Sequence, residues 1–225
     1  MNITYYPVTT PFSAHASSFA RLCQSAMFIG RASACRSSSQ TALMHQIGAV
    51  TSLTEDLCTF SSILADEMTS STLDRYLRLL APQCLTWSAL FLLLDNYCCP
   101  EKFSDEPGYM PSAGTKGPDE LATQTQAMLV VRNISDQAHE KTKEVMDIIS
   151  SQPSIDHVGS ISPFSLDALY CSMVTFQWIY RECGDEIAHV RLTAIEACMR
   201  RLSERWRLAF EYLALGEVYR NVGNI

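Results

Sequence analysis

Glu182, Cys183, Asp185, Glu186 and His189 form the densest run of metal-ligand and acid–base side chains in the sequence. Asp185 and His189, four residues apart, would share one face of a helix. Two ligands on one turn do not make a zinc site without a third. The favoured reading is local: Gly184 ends one helix, Asp185 caps the next, and His189 is partly exposed. The other histidines, His15, His45, His139 and His157, are isolated from one another in the chain. Cys98 and Cys99 are read as the apolar end of a helix rather than as a redox pair.

The stretch SERWRLAFEYLAL, Ser203 to Leu215, sets tryptophan and phenylalanine among arginines and so invites a nucleic-acid reading. Its charges argue against one. From Asp185 to Arg220 the arginines at 191, 200, 201, 205, 207 and 220 are matched by Asp185, Glu186, Glu196, Glu204, Glu211 and Glu217. Glu196–Arg200, Arg200–Glu204 and Arg207–Glu211 stand four apart, the spacing of neighbours on a helix surface. Alternating charge of this kind marks a solvated outer face. No G-x-S-x-G, phosphate-binding loop, G-x-G-x-x-G, H-E-x-x-H or aspartate-rich run occurs. The residues give no support to an enzyme, and the expectation is a non-catalytic protein.

The composition agrees with a chain built to pack rather than to bind duplexes. Hydrophobic residues make up 47% of the 225 and charged ones only 18%, the balance of mostly buried helices. A net charge of −7 makes the chain a poor candidate for holding DNA unaided. The start, MNITYYPVTTPF, has neither the basic residues nor the apolar run of a signal peptide. The most apolar run, Cys84 to Cys99, is interrupted by Ser88, Asp95 and Asn96 and is too short to span a bilayer, so no membrane contact is expected. The cysteines number nine, contain no C-x-x-C and sit mostly in apolar helical stretches. They suit a reducing compartment and exclude a structural zinc site built on that spacing.

Helical periodicity recurs and strand signals are scarce, which predicts an all-α fold of long amphipathic helices with one Pro/Gly-rich loop. A first helix is expected over Phe12 to Ile29, with Ala16, Phe19, Ala20, Cys23, Ala26 and Met27 as its buried stripe. A second is expected from Gln40 to Glu67, with Leu43, Ile47, Val50, Leu53, Leu57, Phe60 and Leu64 inward. Pro82 should separate a short helix, Thr72 to Leu80, from another over Gln83 to Tyr97. Pro100 to Pro118 reads as a surface loop, and Asp119 to Ser150 as a long helix. Ser162-Pro163 starts a helix with Leu169, Met173, Phe176, Tyr180 and Cys183 inward. A final continuous helix carries Ala188, Leu192, Ile195, Met199, Leu202, Trp206, Ala209 and Leu213 at alternating steps of four and three. The organisation expected is an extension over 1–11, one helical domain over 12–216 with the loop at 100–118, and a tail over 217–225.

Three stretches carry a family resemblance. PFSAHASSFARLCQSAMFIGR, LTWSALFLLLDNYCCPE, and ISPFSLDALYCSMVTFQWIYRECGDE followed by MRRLSERWRLAFEYLAL occur in that order. Together they resemble the fungal-specific transcription factor domain, the helical regulatory region of fungal zinc-cluster regulators, over about Pro11 to Leu215. The closing signature R-W-x-x-A-x-x-Y-L falls on Arg205, Trp206, Ala209, Tyr212 and Leu213, making Trp206, Ala209, Tyr212 and Leu213 the signature core.

The resemblance implies a nuclear protein that regulates transcription through a protein partner, as a homodimer or with a co-regulator, or through a small-molecule effector. In that family a six-cysteine cluster holds two zinc ions and reads DNA. The cysteine spacings of this chain contain no such cluster, so zinc and direct DNA binding do not carry over to these residues; the part that would supply them either precedes the chain or has been lost. No cofactor is expected within the chain. The alternative is a stand-alone helical protein-interaction or metabolite-sensing module without DNA binding.

Overall fold

The computed structural model describes residues 16–35, 40–98, 118–151 and 157–222. Every regular element among them is helical: α1 (Ser18–Cys35), α2 (Gln40–Thr69), α3 (Leu73–Cys98), α4 (Pro118–Ser151), α5 (His157–Ser160), α6 (Leu166–Cys183), α7 (Glu186–Ser203) and α8 (Arg207–Val222). A 3-10 turn, Pro163–Ser165, leads into α6. The expected loop at 100–118 and the extension at 1–11 lie outside the described residues, apart from Pro118, which opens α4. Helix α8 continues to Val222, into the segment read from sequence as a tail.

Helix α3 is the hub. It packs against α1 and α2 on one side and against α4 and α6 on the other, while α7 and α8 lean on α6. By length and composition alone α3 could cross a membrane, but 83% of its most apolar window is buried inside the fold. It is a core helix. Leu79, Ala89 and Leu90 are enclosed on every side, which explains why its apolar residues run almost continuously instead of in a stripe.

Pro82 does not break α3, against the expectation of two helices. Proline removes one backbone bond and crowds the preceding turn at a cost of about 3 kcal/mol in a helix interior. Burial of Leu79, Leu80, Ala81 and Cys84 around it offsets that cost. The turn is also clamped from outside. The hydroxyls of Ser25 on α1 and Thr86 on α3 both donate to the Pro82 carbonyl, at 2.8 Å each.

Helix α1 presents the opposite face to the one expected. Its buried residues are Arg21, Ser25, Phe28 and Ala32, whereas Phe19 is 72% exposed and Met27 48%, and Cys23 and Ala26 are also exposed. The expected and observed stripes share a period and differ in phase by about half a turn. What sets the phase is polar bonding rather than hydrophobicity. Arg21 reaches Glu67 of α2, and Ser25 reaches Pro82 of α3.

Helix α2 follows its expected pattern from Ile47 onward: Val50, Leu53, Leu57, Phe60 and Leu64 are buried, Ile47 is half-buried, and Met68 extends the stripe, while the side chain of Leu43 lies outside those described. The α6 pattern holds for Leu169, Met173 and Phe176 and fails at its end, where Tyr180 and Cys183 are exposed. That last turn projects beyond the core, and Tyr180 stacks instead on His189 of α7 with ring centroids 4.6 Å apart. Its start and stop are as expected. Ser162 Oγ accepts from the Phe164 N–H, Gly184 ends the helix at φ 64°, and Asp185 Oδ1 accepts from the N–H groups of Ile187 and Ala188.

The final helix is two helices rather than one. Helix α7 ends at Ser203, a turn spans Glu204 and Arg205, and α8 begins at Arg207. Ser203 Oγ donates to the Arg200 carbonyl, and the Arg205 N–H bonds three residues back to Leu202, tightening the last turn until it closes. The apolar register nevertheless survives the break: Ala188, Leu192, Ile195, Met199, Leu202 and Ala209 are all buried, and Trp206 and Leu213 are half-buried. The break rearranges the charge ladder. Glu196–Arg200 and Arg207–Glu211 form as expected, whereas Glu204 pairs with Arg201 instead of Arg200.

Trp206 sits at this junction and donates its indole N–H to the Ile161 carbonyl at 3.0 Å. Trp206→Ala should cost about 2–3 kcal/mol, combining partial loss of ring burial with one lost hydrogen bond. Arg200→Ala, whose side chain is 60% exposed, should cost less than about 1 kcal/mol. Urea unfolding of the two variants checks the contrast; equal losses would mean the junction is not packed as described.

Candidate functional site

A groove of about 660 Å³ opens between α3, α4 and α6. Helix α3 contributes Ser88, Phe91, Leu92 and Asp95, at the steps of three and four that place them on one face. Helix α4 contributes Met128, Leu129 and Arg132, and α6 contributes Asp167, Tyr170, Cys171, Val174 and Trp178. The wall is mostly apolar with a few placed polar groups, the usual make-up of a small-molecule site. Its size is within the range of such sites. The Gln124 amide on α4 donates to the Cys98 carbonyl at 2.9 Å, joining the two helices beside the groove.

The polar groups differ in how they are satisfied. Arg132 gives one N–H to Asp185 Oδ2 at 3.2 Å, so its charge is matched by the helix cap of α7. Asp167 accepts the Tyr212 hydroxyl at 3.3 Å and has no ion-pair partner among the described residues. Ser88 Oγ is buried and has no hydrogen-bond partner among the described residues. A buried hydroxyl left unpaired is costly.

Two carboxylates act on the thiol in the groove wall. Burial raises the Cys171 thiol well above its ordinary pKa, and the carboxylates of Asp167 and Asp95 raise it further. Tyr212 is pushed up to about 12 by burial and by Asp167. At neutral pH Cys171 is therefore a thiol and Tyr212 a hydrogen-bond donor. Neither is a nucleophile under those conditions. Cys84 and Cys198, each pushed up to about 12 chiefly by burial, are equally inert as thiols.

The signature residues gather next to the groove without lining it. Ala209 is fully buried, Trp206 bonds to the 161 carbonyl, and Leu213 packs on the core. Tyr212 links the two regions: its ring stacks on Tyr170 at 4.6 Å while its hydroxyl holds Asp167. Arg205 lies over the Trp206 ring, 5.4 Å from its centroid, so even the exposed signature residue is positioned by the junction.

Asp185 and His189 do not converge on a third ligand, and no group of three metal-ligating side chains occurs among the described residues. No disulfide joins any two of the eight described cysteines, and Cys98 is half-buried at the groove; Cys99 lies outside the described residues. Sequence reasoning named no groove residue as a site. A signal was present in Ser88 and Asp95, noted only as interruptions of an apolar run. They stand seven apart, hence on one helix face, and that face lines the groove. No model of a known family matches the chain, and no curated protein or solved structure is detectably similar to it.

Proposed function

We propose that the chain is the regulatory domain of a transcription regulator of the fungal zinc-cluster kind. The observation that carries this reading is the ordered set of three resembling stretches, ending in Trp206, Ala209, Tyr212 and Leu213. Occupancy of the groove, or contact with a homodimer or co-regulator partner, would favour one packing of the helices over another. DNA contact and zinc would belong to a part joined to these residues, and the protein would act in the nucleus without catalysing a reaction. The placement of Tyr212 supports the regulatory element of the reading, because it ties the signature helix α8 to Asp167 and Tyr170 at the groove.

The groove itself favours a second reading, a stand-alone sensing module. Mapping the full-length transcript through its 5′ end separates the two. A six-cysteine cluster joined in frame to this sequence is the expected result. A mature transcript whose frame opens at Met1 would overturn the transcription reading and leave the sensor.

A further inference from the structure

We propose that the outward face of α1 is a contact between two copies of this chain, with the two α1 helices packed antiparallel about a two-fold axis. The inference depends neither on the groove nor on any attached DNA reader. Phe19, Cys23, Ala26, Gly30 and Ala34 follow one another at steps of four and three and are all exposed, with Met27 beside them. Single exposed apolar residues are ordinary, but an uncharged stripe along about four turns marks a surface that something covers. The two charged residues of α1 stay off it: Arg21 is enclosed against Glu67, and Arg31, at its edge, pairs with Asp56 at 3.2 Å. The inward bonds of Arg21 and Ser25 hold the stripe outward. A helix lying on a membrane would set free cationic residues beside the apolar stripe, and α1 has both of its arginines engaged.

The stripe is complementary to itself, as a two-fold contact requires. With the axis between Ala26 and Met27, Phe19 stands opposite Ala34 of the second copy, Cys23 opposite Gly30, and Ala26 opposite Met27. At each pair a larger side chain meets a smaller one, the arrangement that lets facing helices interdigitate. No two like charges are brought together. Gly30 supports the pairing independently. Glycine weakens a helix interior, its φ is not positive here, and a Cβ at this position would meet nothing within 4 Å in its own chain. The fold has no need of glycine at 30; the close approach of Cys23 from a second copy does. The 18 residues of α1 present a face about 27 Å long and 10 Å wide. Two such faces bury on the order of 600–1,000 Å², at the low end of specific interfaces, so the dimer is reversible and micromolar.

Sedimentation equilibrium of the intact chain between about 1 and 100 μM tests the contact, under reducing conditions so that Cys23 cannot cross-link. A monomer–dimer equilibrium is the expected result. Phe19→Ala should weaken it about tenfold by losing the ring contact, and Ala34→Phe by a similar factor, because two rings then stand opposite each other. Combining the two exchanges the large and small partners and should return the dissociation constant to within about threefold of the parent. Gly30→Leu should weaken the dimer by about tenfold or more. All three positions lie outside the core, so the urea midpoint of each variant below about 1 μM should match that of the parent and show an intact monomer. A chain that stays monomeric at about 100 μM overturns the proposal, and so does a dimer indifferent to Phe19→Ala and Gly30→Leu. A dimer weakened by both Phe19→Ala and Ala34→Phe but not restored by their combination overturns the antiparallel register.

Discussion

Arg21→Ala lowers the unfolding free energy by about 3–5 kcal/mol, the cost of breaking a buried ion pair by removing one partner. The side chain is completely enclosed, and every part of the guanidinium is used. Its Nε and Nη2 donate to Glu67 Oε1, Nη1 donates to Gln24 Oε1 at 3.0 Å, and the group lies 5.8 Å from the centroid of the Phe60 ring. Glu67 in turn takes Arg75 of α3 through its other oxygen at 3.2 Å, so three helices meet at one carboxylate. Truncation leaves a cavity where the arginine stem lay and a largely buried carboxylate with one partner instead of two. The charge, rather than the volume, should dominate. Arg21→Met combined with Glu67→Gln keeps the volume, discharges both partners and should cost less than Arg21→Ala alone. Urea denaturation, reading the midpoint at constant m-value, measures each variant.

The control is Phe19→Ser. Were α1 turned as its hydrophobicity suggests, this change would remove a core ring at about 3–5 kcal/mol and Arg21→Ala would be nearly silent. With Phe19 72% exposed, the expected change is within about 0.5 kcal/mol. Reversal of the two results would refute the orientation of α1.

That helix shows where the sequence was legible and where it stopped being so. Helix existence, the period of the apolar pattern and the caps at Ser162, Gly184 and Asp185 depend on residues within a turn of each other, and all are readable from local spacing. The phase of α1 depends on a partner 46 residues away, Glu67, which no local window contains. The continuity of α3 through Pro82 likewise depends on Ser25, 57 residues earlier. In both cases a tertiary hydrogen bond overrode a local preference. The break at Glu204 is different, since the stripe from Ala188 to Leu213 keeps its spacing across it. Apolar periodicity reports which residues are buried, and a tight turn of near-helical pitch leaves that record unchanged. The groove was the least legible feature, because it exists only where faces of α3, α4 and α6 meet. Its members on each helix, taken singly, read as ordinary apolar helix positions with a few polar ones among them.

Trp87→Ala is the second large loss, about 3–5 kcal/mol for a fully buried ring. Trp87 is 2% exposed and is among the largest enclosed side chains of the core. It also completes a polar network between α2 and α3. With the Gln83 amide oriented so that each of its atoms meets a complement, the Gln83 oxygen accepts from the Trp87 indole at 2.9 Å and from Ser61 Oγ at 2.7 Å. Its nitrogen then donates to the Ser61 carbonyl at 3.1 Å. Trp87→Phe retains most of the ring but leaves this buried network one donor short, so it should cost about 1–3 kcal/mol. The pair separates packing from hydrogen bonding at one site, again by urea unfolding. Ser88 follows Trp87 about 100° further round α3 and lines the groove instead of the α2 contact. Trp87→Phe should therefore weaken the fold without altering the groove face of α3.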